Sequence, residues 1–225
     1  MAKPTTCVYA RDVAGNVRAF TGGNGDMATY INGVANGGFE SANFNSWSTG
    51  GALPVSIVPP APQPPDVGLY SASLGARLWP KPARTPDRAR GIGRLRQTVR
   101  LPERGDWPVI YLGLRYRIYT YDVMWSDYFQ EYIDTFDVYL LDSAGVQLAH
   151  LLRDGNPDRN LIGPGRPVVD LGWKEVNLDI SQFAGQTVQI VMANANRRDQ
   201  IYNTWTIVDN VSITAPGRRV TFYPA

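Results

Sequence analysis

"VIYLGLRYRIYTYD", residues 109–122, alternates with a period of two. Ile110, Leu112, Leu114, Tyr116 and Ile118 share one phase, and Tyr111, Arg115, Arg117, Tyr119 and Tyr121 share the other. Side chains on an extended chain project alternately to opposite faces, so the stretch reads as a strand with one face in a core and the other polar and aromatic. "TFDVYLLD" (135–142) repeats the pattern, with Phe136, Val138 and Leu140 inward and Asp137 and Tyr139 outward, and then turns at "DSAG". "WKEVNLDIS" is expected to bury Val176, Leu178 and Ile180; "QTVQIVMAN", Val188, Ile190 and Met192; "TWTIVDNVSI", Trp205, Ile207, Val211 and Ile213. No comparable run keeps a helical period. The fold predicted over residues 36–214 is an all-β, two-sheet antiparallel sandwich.

Composition agrees. The 225 residues include 22 Gly, 17 Pro and 12 Tyr, which favours strands joined by turns, and they suffice for a sizeable core. A net charge of +2 gives no reason to expect nucleic acid as a partner. No window of about 18 apolar residues is present, so no membrane-inserted helix is expected. Cys7 is the only cysteine and His150 the only histidine. An internal disulfide is therefore excluded, as is a Cys-based metal site, and any Ser-His-Asp triad would depend on His150, which sits in the strand-like "GVQLAHLL" and reads as an ordinary strand histidine. The N-terminus has no apolar signal-peptide core.

The ends read differently from the middle. Residues 1–23 contain "CVYARDVAGNVRAF", strand-like on both sides of a turn at Ala14-Gly15-Asn16; residues 24–35 read as a linker, and 215–225, opening on "APG", as a C-terminal extension.

"VANGGFESANFNSW" (34–47) places glycines and aromatics around Glu40, while Asp209 falls in the inward phase assigned to Ile207, Val211 and Ile213. A buried carboxylate needs a counter-charge. A first strand beginning near Phe39 and running beside the last one would bring Glu40 and Asp209 together. With oxygens of the Asn36-Gly37-Gly38 turn, the two acids would form an oxygen-only site suited to Ca²⁺. The competing reading is that Asp209 caps a bend or pairs with an arginine such as Arg197, and that Glu40 is solvated.

Taken in order, "NGGFE", "GLYSASLG", "LRQTVRLPE", "LRYRIYTYD", "DTFDVYLLDSAG", "GWKEVNLDISQFAGQTVQIVMANANR" and "NTWTIVDNVSI" resemble the successive strands of galactose-binding-like jelly rolls. Such modules occur as carbohydrate-binding domains and MAM-like extensions of secreted bacterial proteins. The resemblance implies a non-catalytic binding or adhesion module at the cell surface or outside the cell. It also implies a structural calcium held by the acid after the Asn-Gly-Gly turn, here Glu40, and an acid of the closing strand, here Asp209, with Asn36 and Gly38 beside them. "YARDVAGNVR" is similar to the last strand of bacterial Ig-like repeats.

Two insertions depart from the simpler members. "WPKPARTPDRARGIGRLR" carries five arginines beside Asp87, a surface for an anionic glycan or a protein's carboxylates, or a solvated loop. "DVMWSDYFQEYID" sets Trp125 and Tyr128 among Asp127 and Glu131, the mixture a sugar needs, with Tyr119, Tyr121 and Tyr139 extending the platform. These aromatics could equally form a satellite core. The leading reading is a polysaccharide or glycan binder. Second comes adhesion or assembly with neighbouring domains of the same polypeptide or another surface protein. Third is a glycoside-cleaving sandwich using Glu131, Asp134 or Asp137, although residues three apart on a strand face opposite ways.

Overall fold

The computed structural model describes residues 7–11, 17–21, 28–31, 33–59, 68–76, 90–103, 109–121, 125–126, 131–156, 168–197 and 203–217. In chain order the strands are β1 (Cys7–Arg11), β2 (Val17–Thr21), β3 (Ala28–Ile31), β4 (Ser48–Gly51), β5 (Val55–Val58), β6 (Ser71–Leu74), β7 (Gly91–Arg100) and β8 (Tyr111–Thr120). They continue with β9 (Trp125–Ser126), β10 (Glu131–Tyr132), β11 (Asp134–Leu141), β12 (Gln147–Asp154), β13 (Val169–Asp179), β14 (Thr187–Asn196) and β15 (Thr204–Gly217). Among the described residues the only helical element is a single 3-10 turn, Ser181–Phe183, and no helix is long and apolar enough to cross a membrane.

Two antiparallel sheets face each other, one ordered β12-β11-β14-β7-β4 and the other β13-β8-β15-β6-β5, with β3 added beside β15. This is the two-sheet sandwich that the alternation predicts, and it fits the jelly roll that the resemblance implies. Between the sheets lie Leu112, Leu114, Tyr116 and Ile118 of β8, Phe136, Val138 and Leu140 of β11, Val188, Ile190 and Met192 of β14, and Leu95 and Val99 of β7. Each side chain of this kind contributes roughly 1.5–3 kcal/mol on burial. Ile180 is buried as expected, while Val176 and Leu178 pack on the core from a half-exposed position. β1 and β2 pair antiparallel as a two-stranded sheet. Ala28–Ile31, within the stretch read as a linker, instead pairs as β3 with β15.

Two readings of the inner and outer faces need correction. A β-bulge interrupts the pairing of β15 with β8 between Asp209 and Ser212, with Asn210 at φ 53°. A bulge inserts one unpaired residue and so reverses the phase of the residues beyond it. Val208, Val211 and Ile213 consequently face the main core, whereas Trp205 and Ile207 lie opposite Tyr119 and Arg117 on the outer side. There they form a second apolar cluster with Tyr119, Tyr121 and Val58, against which Val168 and Trp173 pack. The second correction concerns the platform. Tyr119 and Tyr121 do point outward, but each is only 3% exposed. Tyr119 stacks on Trp205 with ring centres 5.4 Å apart, and Tyr121 tilts against the same indole. Burial, with the charge of Asp170 adding to it, pushes the Tyr119 phenol up to about 12.

Candidate functional site: two grooves on opposite sheets

Glu40 and Asp209 both lie beside Gly38, though not on adjoining strands. Residues 34–47 form a run of tight turns rather than a first strand at Phe39. Asn36, Phe39, Ala42 and Ser46 all take positive φ. Phe39 and Trp47 are buried beneath these turns with ring centres 5.7 Å apart. The segment is clamped to β15 where the Val211 N–H donates to the Gly37 carbonyl at 2.9 Å. Gln97 holds it two residues earlier, accepting from Ala35 N–H at 2.7 Å and donating to the Ala35 carbonyl at 2.8 Å.

This docking sets Gly38 beside both acids. A Cβ on Gly38 would stand 3.8 Å from Glu40 Cγ and 3.9 Å from Asp209 Oδ1. Both Glu40 oxygens accept from Leu69 N–H, and Oε1 also accepts from Tyr70 N–H, so this exposed carboxylate anchors the chain entering β6. Asp209 is completely buried, but on the outer side of its sheet under the turns, in register with Arg115. Its Oδ1 accepts from Asn210 N–H at 2.7 Å and so caps the bulge. Arg197, the arginine considered for it, pairs with Asp137 instead. The Asn36 carbonyl accepts from Phe39 N–H and Trp47 Nε1–H. Among the described residues no three of His, Cys, Asp and Glu gather in one place. Alongside runs a groove of about 640 Å³, lined by Asn36, Gly38, Glu40, Glu175, Asn177 and Asn210 among others. Among the described residues no aromatic side chain lines it.

The second groove lies on the outer face of the other sheet. Pairing registers set its layout. Asp137 of β11 stands between Arg153 of β12 and Ala193 of β14, with Arg94 of β7 beyond; in the next row Tyr139 stands between His150 and Val191, with Arg96 beyond. Small side chains on β14 leave a trough, since Ala193 and Ala195 form its floor while Asp137, Tyr139, His150 and Arg153 rise on one side. Its volume is about 180 Å³. The Tyr139 and His150 rings meet edge to face at 6.4 Å.

Asp137 organises this wall. Its Oδ1 accepts from Arg153 Nε at 2.7 Å and faces His150 Nε2 at 2.7 Å; its Oδ2 accepts from Thr135 Oγ1 at 2.6 Å and from Arg197 at 3.3 Å. An ionised carboxylate only accepts, so the His150 proton sits on Nε2 in this contact. Burial alone would raise the Asp137 carboxyl. The hydrogen bonds from Thr135 and Arg153 and the charges of Arg153 and Arg197 outweigh burial and hold it below the usual carboxylate range.

Of the aromatics expected to meet sugar, Tyr139 alone among the described side chains opens onto a groove. Tyr128 and Asp127 lie outside the described residues, as do the side chains of Trp125 and Glu131, whose backbones pair in β9 and β10. The arginine-rich insertion lies largely outside them too. Reading from sequence missed the Asp137, His150, Arg153 and Arg197 cluster. Counting outward from the "DSAG" turn, with Leu141 opposite Gln147, sets Tyr139 against Ala149 and Asp137 against Leu151; two bulges shift the pairing to His150 and Arg153, so the sequence carried no signal for it.

No family model matches the chain, and no curated protein matches it. Solved structures do. A carbohydrate-binding module of the β-sandwich superfamily aligns at TM-score 0.43 and 13% identity, over 90% of this chain and 70% of its own. The K1 cleaved adhesin domain of Lys-gingipain from Porphyromonas gingivalis W83 aligns at TM-score 0.49 and 16% identity, over 84% and 99%. A cyclase from Fischerella sp. TAU aligns at TM-score 0.43 and 16% identity, over 85% and 100%. At these values the chain's own strand pairing, not the likeness, defines its fold.

Proposed function

We propose that this chain is a non-catalytic carbohydrate-binding module of a larger extracellular protein, and that it reads glycans in the trough on the β12-β11-β14-β7-β4 face. One observation carries the reading. A half-exposed Tyr139 stands over an alanine floor beside fixed guanidinium and imidazole groups. A sugar ring can stack its C–H face on that phenol while its hydroxyls meet the charged wall. The non-catalytic part is supported by the acids. Asp134 lies in phase with Phe136 and Asp137 on the opposite face, so they share no cleft. A glycosidase acid also needs a raised pKa, and that of Asp137 is lowered.

Tyr139→Ala should weaken retardation in polysaccharide gels by about tenfold, with a melting free energy within about 1 kcal/mol of wild type. A chain that ignores every glycan yet self-associates would move the reading to adhesion, for which the exposed Val146 and Leu148 around the edge strand β12 are suited.

A structural Ca²⁺ belongs to the same proposal, held by Glu40 and Asp209 with carbonyl oxygens of the Asn36–Gly38 turn. Support comes from the approach of both acids to Gly38, and from a donor set made only of hard oxygen atoms. The ion would share Glu40 with the Leu69 and Tyr70 amides and tie residues 34–47 to β15. At a calcium concentration a hundredfold above its dissociation constant, a chelator should remove about 2.7 kcal/mol of stability. Glu40→Ala or Asp209→Ala should abolish that difference, and identical melts with and without chelator would remove the ion.

A further inference from the structure

Resting on the reading of the chain as a glycan binder, we infer that the groove beside Gly113 is a second saccharide site, on the opposite sheet from the trough, and that it takes a neutral sugar through its hydroxyl groups. Pairing register builds it. Across β13, β8 and β15 one row runs Asn177, Gly113, Ser212, and the next runs Glu175, Arg115, Asp209. Asn177 and Ser212 therefore flank a position that has no side chain, and all three line the groove. Nothing in the backbone requires glycine there. A Cβ on Gly113 would meet Asn177 Oδ1 at 3.0 Å and Ser212 Oγ at 3.1 Å, both ends of side chains able to turn aside, and the Ser212 carbonyl oxygen only at 3.9 Å; φ lies outside the left-handed region. A glycine inside a strand weakens it, and it marks a place where another group approaches closely. The bulge on β15 brings an exposed Asn210 to the same groove.

The lining selects the class of ligand. Among the described residues the side chains of Asn177, Asn210 and Ser212 make no hydrogen bond to protein. Carboxamides and hydroxyls both donate and accept, which is the mixed set that a sugar hydroxyl, itself donor and acceptor, can satisfy. Neither sign of charge is left over. Arg115 has Glu175 at 3.7 Å and Asp209 in register; Asp209 is buried, and both Glu40 oxygens are taken by the Leu69 and Tyr70 amides. A peptide finds no strand edge here, because β8 is hydrogen-bonded to β13 on one side and to β15 on the other. With no ring to stack on, binding rests on hydrogen bonds, and a dissociation constant on the order of 1 mM is expected.

Amide NMR titration tests this, with cellohexaose, xylohexaose and mannohexaose as neutral probes, oligogalacturonate and a glucosamine hexamer as charged ones, and a Gly-Ser peptide. With at least one neutral probe the backbone amides of Gly113, Asn177 and Ser212 and the side-chain amides of Asn177 and Asn210 should shift and saturate, with a midpoint that added salt leaves in place. These shifts should persist in Tyr139→Ala. The Asn177→Ala, Ser212→Ala double variant should raise the midpoint about tenfold, the factor that two lost hydrogen bonds supply, and its own spectrum reports its folding. Shifts confined to the amides around Tyr139 and His150 would overturn the second site and leave the trough reading intact. Shifts at Gly113 that survive the double variant would overturn the assignment to these side chains. Tighter binding there of a charged hexamer or of the peptide would overturn the neutral-sugar class. Silence from every saccharide at both grooves would overturn this inference and the glycan reading together.

Discussion

Gly37→Ala should lower the stability of the fold by about 3 kcal/mol, although the added group is a single methyl. A Cβ at this position would fall 1.9 Å from the Val211 carbonyl oxygen and 3.0 Å from its carbon. Those are backbone atoms of β15, which is held by pairing with β8 on one side and with β6 and β3 on the other, so the turn must retreat. Retreat breaks the hydrogen bond from Val211 N–H to Gly37 O, worth about 1 kcal/mol. It also loosens Phe39, fully buried, and Trp47, 7% exposed, from the core. Removing a phenylalanine outright costs about 3–5 kcal/mol, and loosening two aromatics partway belongs near the lower end. Gly145→Ala separates sterics from backbone preference: nothing lies within 4 Å of a Cβ there, but φ is +84°, which predicts about 1 kcal/mol. Urea unfolding of both variants decides the matter. A loss below about 1 kcal/mol at Gly37 would mean that residues 34–47 are not clamped to β15, and the placing of both acids beside Gly38 would lose its support.

How much of this was legible depended on whether a residue's surroundings are local in sequence. The inward set of β8, β11 and β14 follows from alternation alone, because a strand's two faces are written in every second residue. Asp209 shows where that logic fails. Its burial was expected from a phase shared with Val211 and Ile213, yet the bulge at Asn210 puts it on the other face, and it is buried there by a turn more than 160 residues earlier in the chain. One inserted residue reverses the phase, and "DNV" carries no sign of it beyond an asparagine that tolerates positive φ. Tyr119 and Tyr121 fail for a related reason. Their outward direction was readable, but whether an outward face meets water or Val58, Val168 and Trp173 is decided by segments far away in sequence. The Asp137 cluster fails on both counts. Two bulges shift its hairpin register away from a straight count out of the turn, and Arg197 follows β14, whose place beside β11 only the sheet order supplies.

That cluster sets the second large effect. Asp137→Ala should cost about 2–3 kcal/mol and remove a pH dependence along with it. The side chain is 5% exposed and satisfies Thr135, Arg153, Arg197 and His150 at once. Breaking a buried pair from one side costs about 3–5 kcal/mol. Here the guanidinium partners, Arg153 and Arg197, are 40% and 36% exposed, so water takes up part of their charge and the loss is smaller. The sign with pH follows from the depressed carboxyl. Above the unfolded value, close to 3.8, the carboxylate is ionised in both states and its contribution is fully present. As pH falls below that value toward the lower folded pKa, the unfolded chain takes up the proton first and the contribution is lost. Melting curves between pH 7 and pH 2, roughly the range over which carboxylates titrate, should therefore converge for wild type and Asp137→Ala at the acid end and separate above about pH 4. Asp137→Asn, which keeps the shape and one acceptor, should fall between them at neutral pH. A gap that stayed constant across the range would mean that Asp137 acts through packing alone, and the charged wall assigned to ligand binding would have no electrostatic organiser.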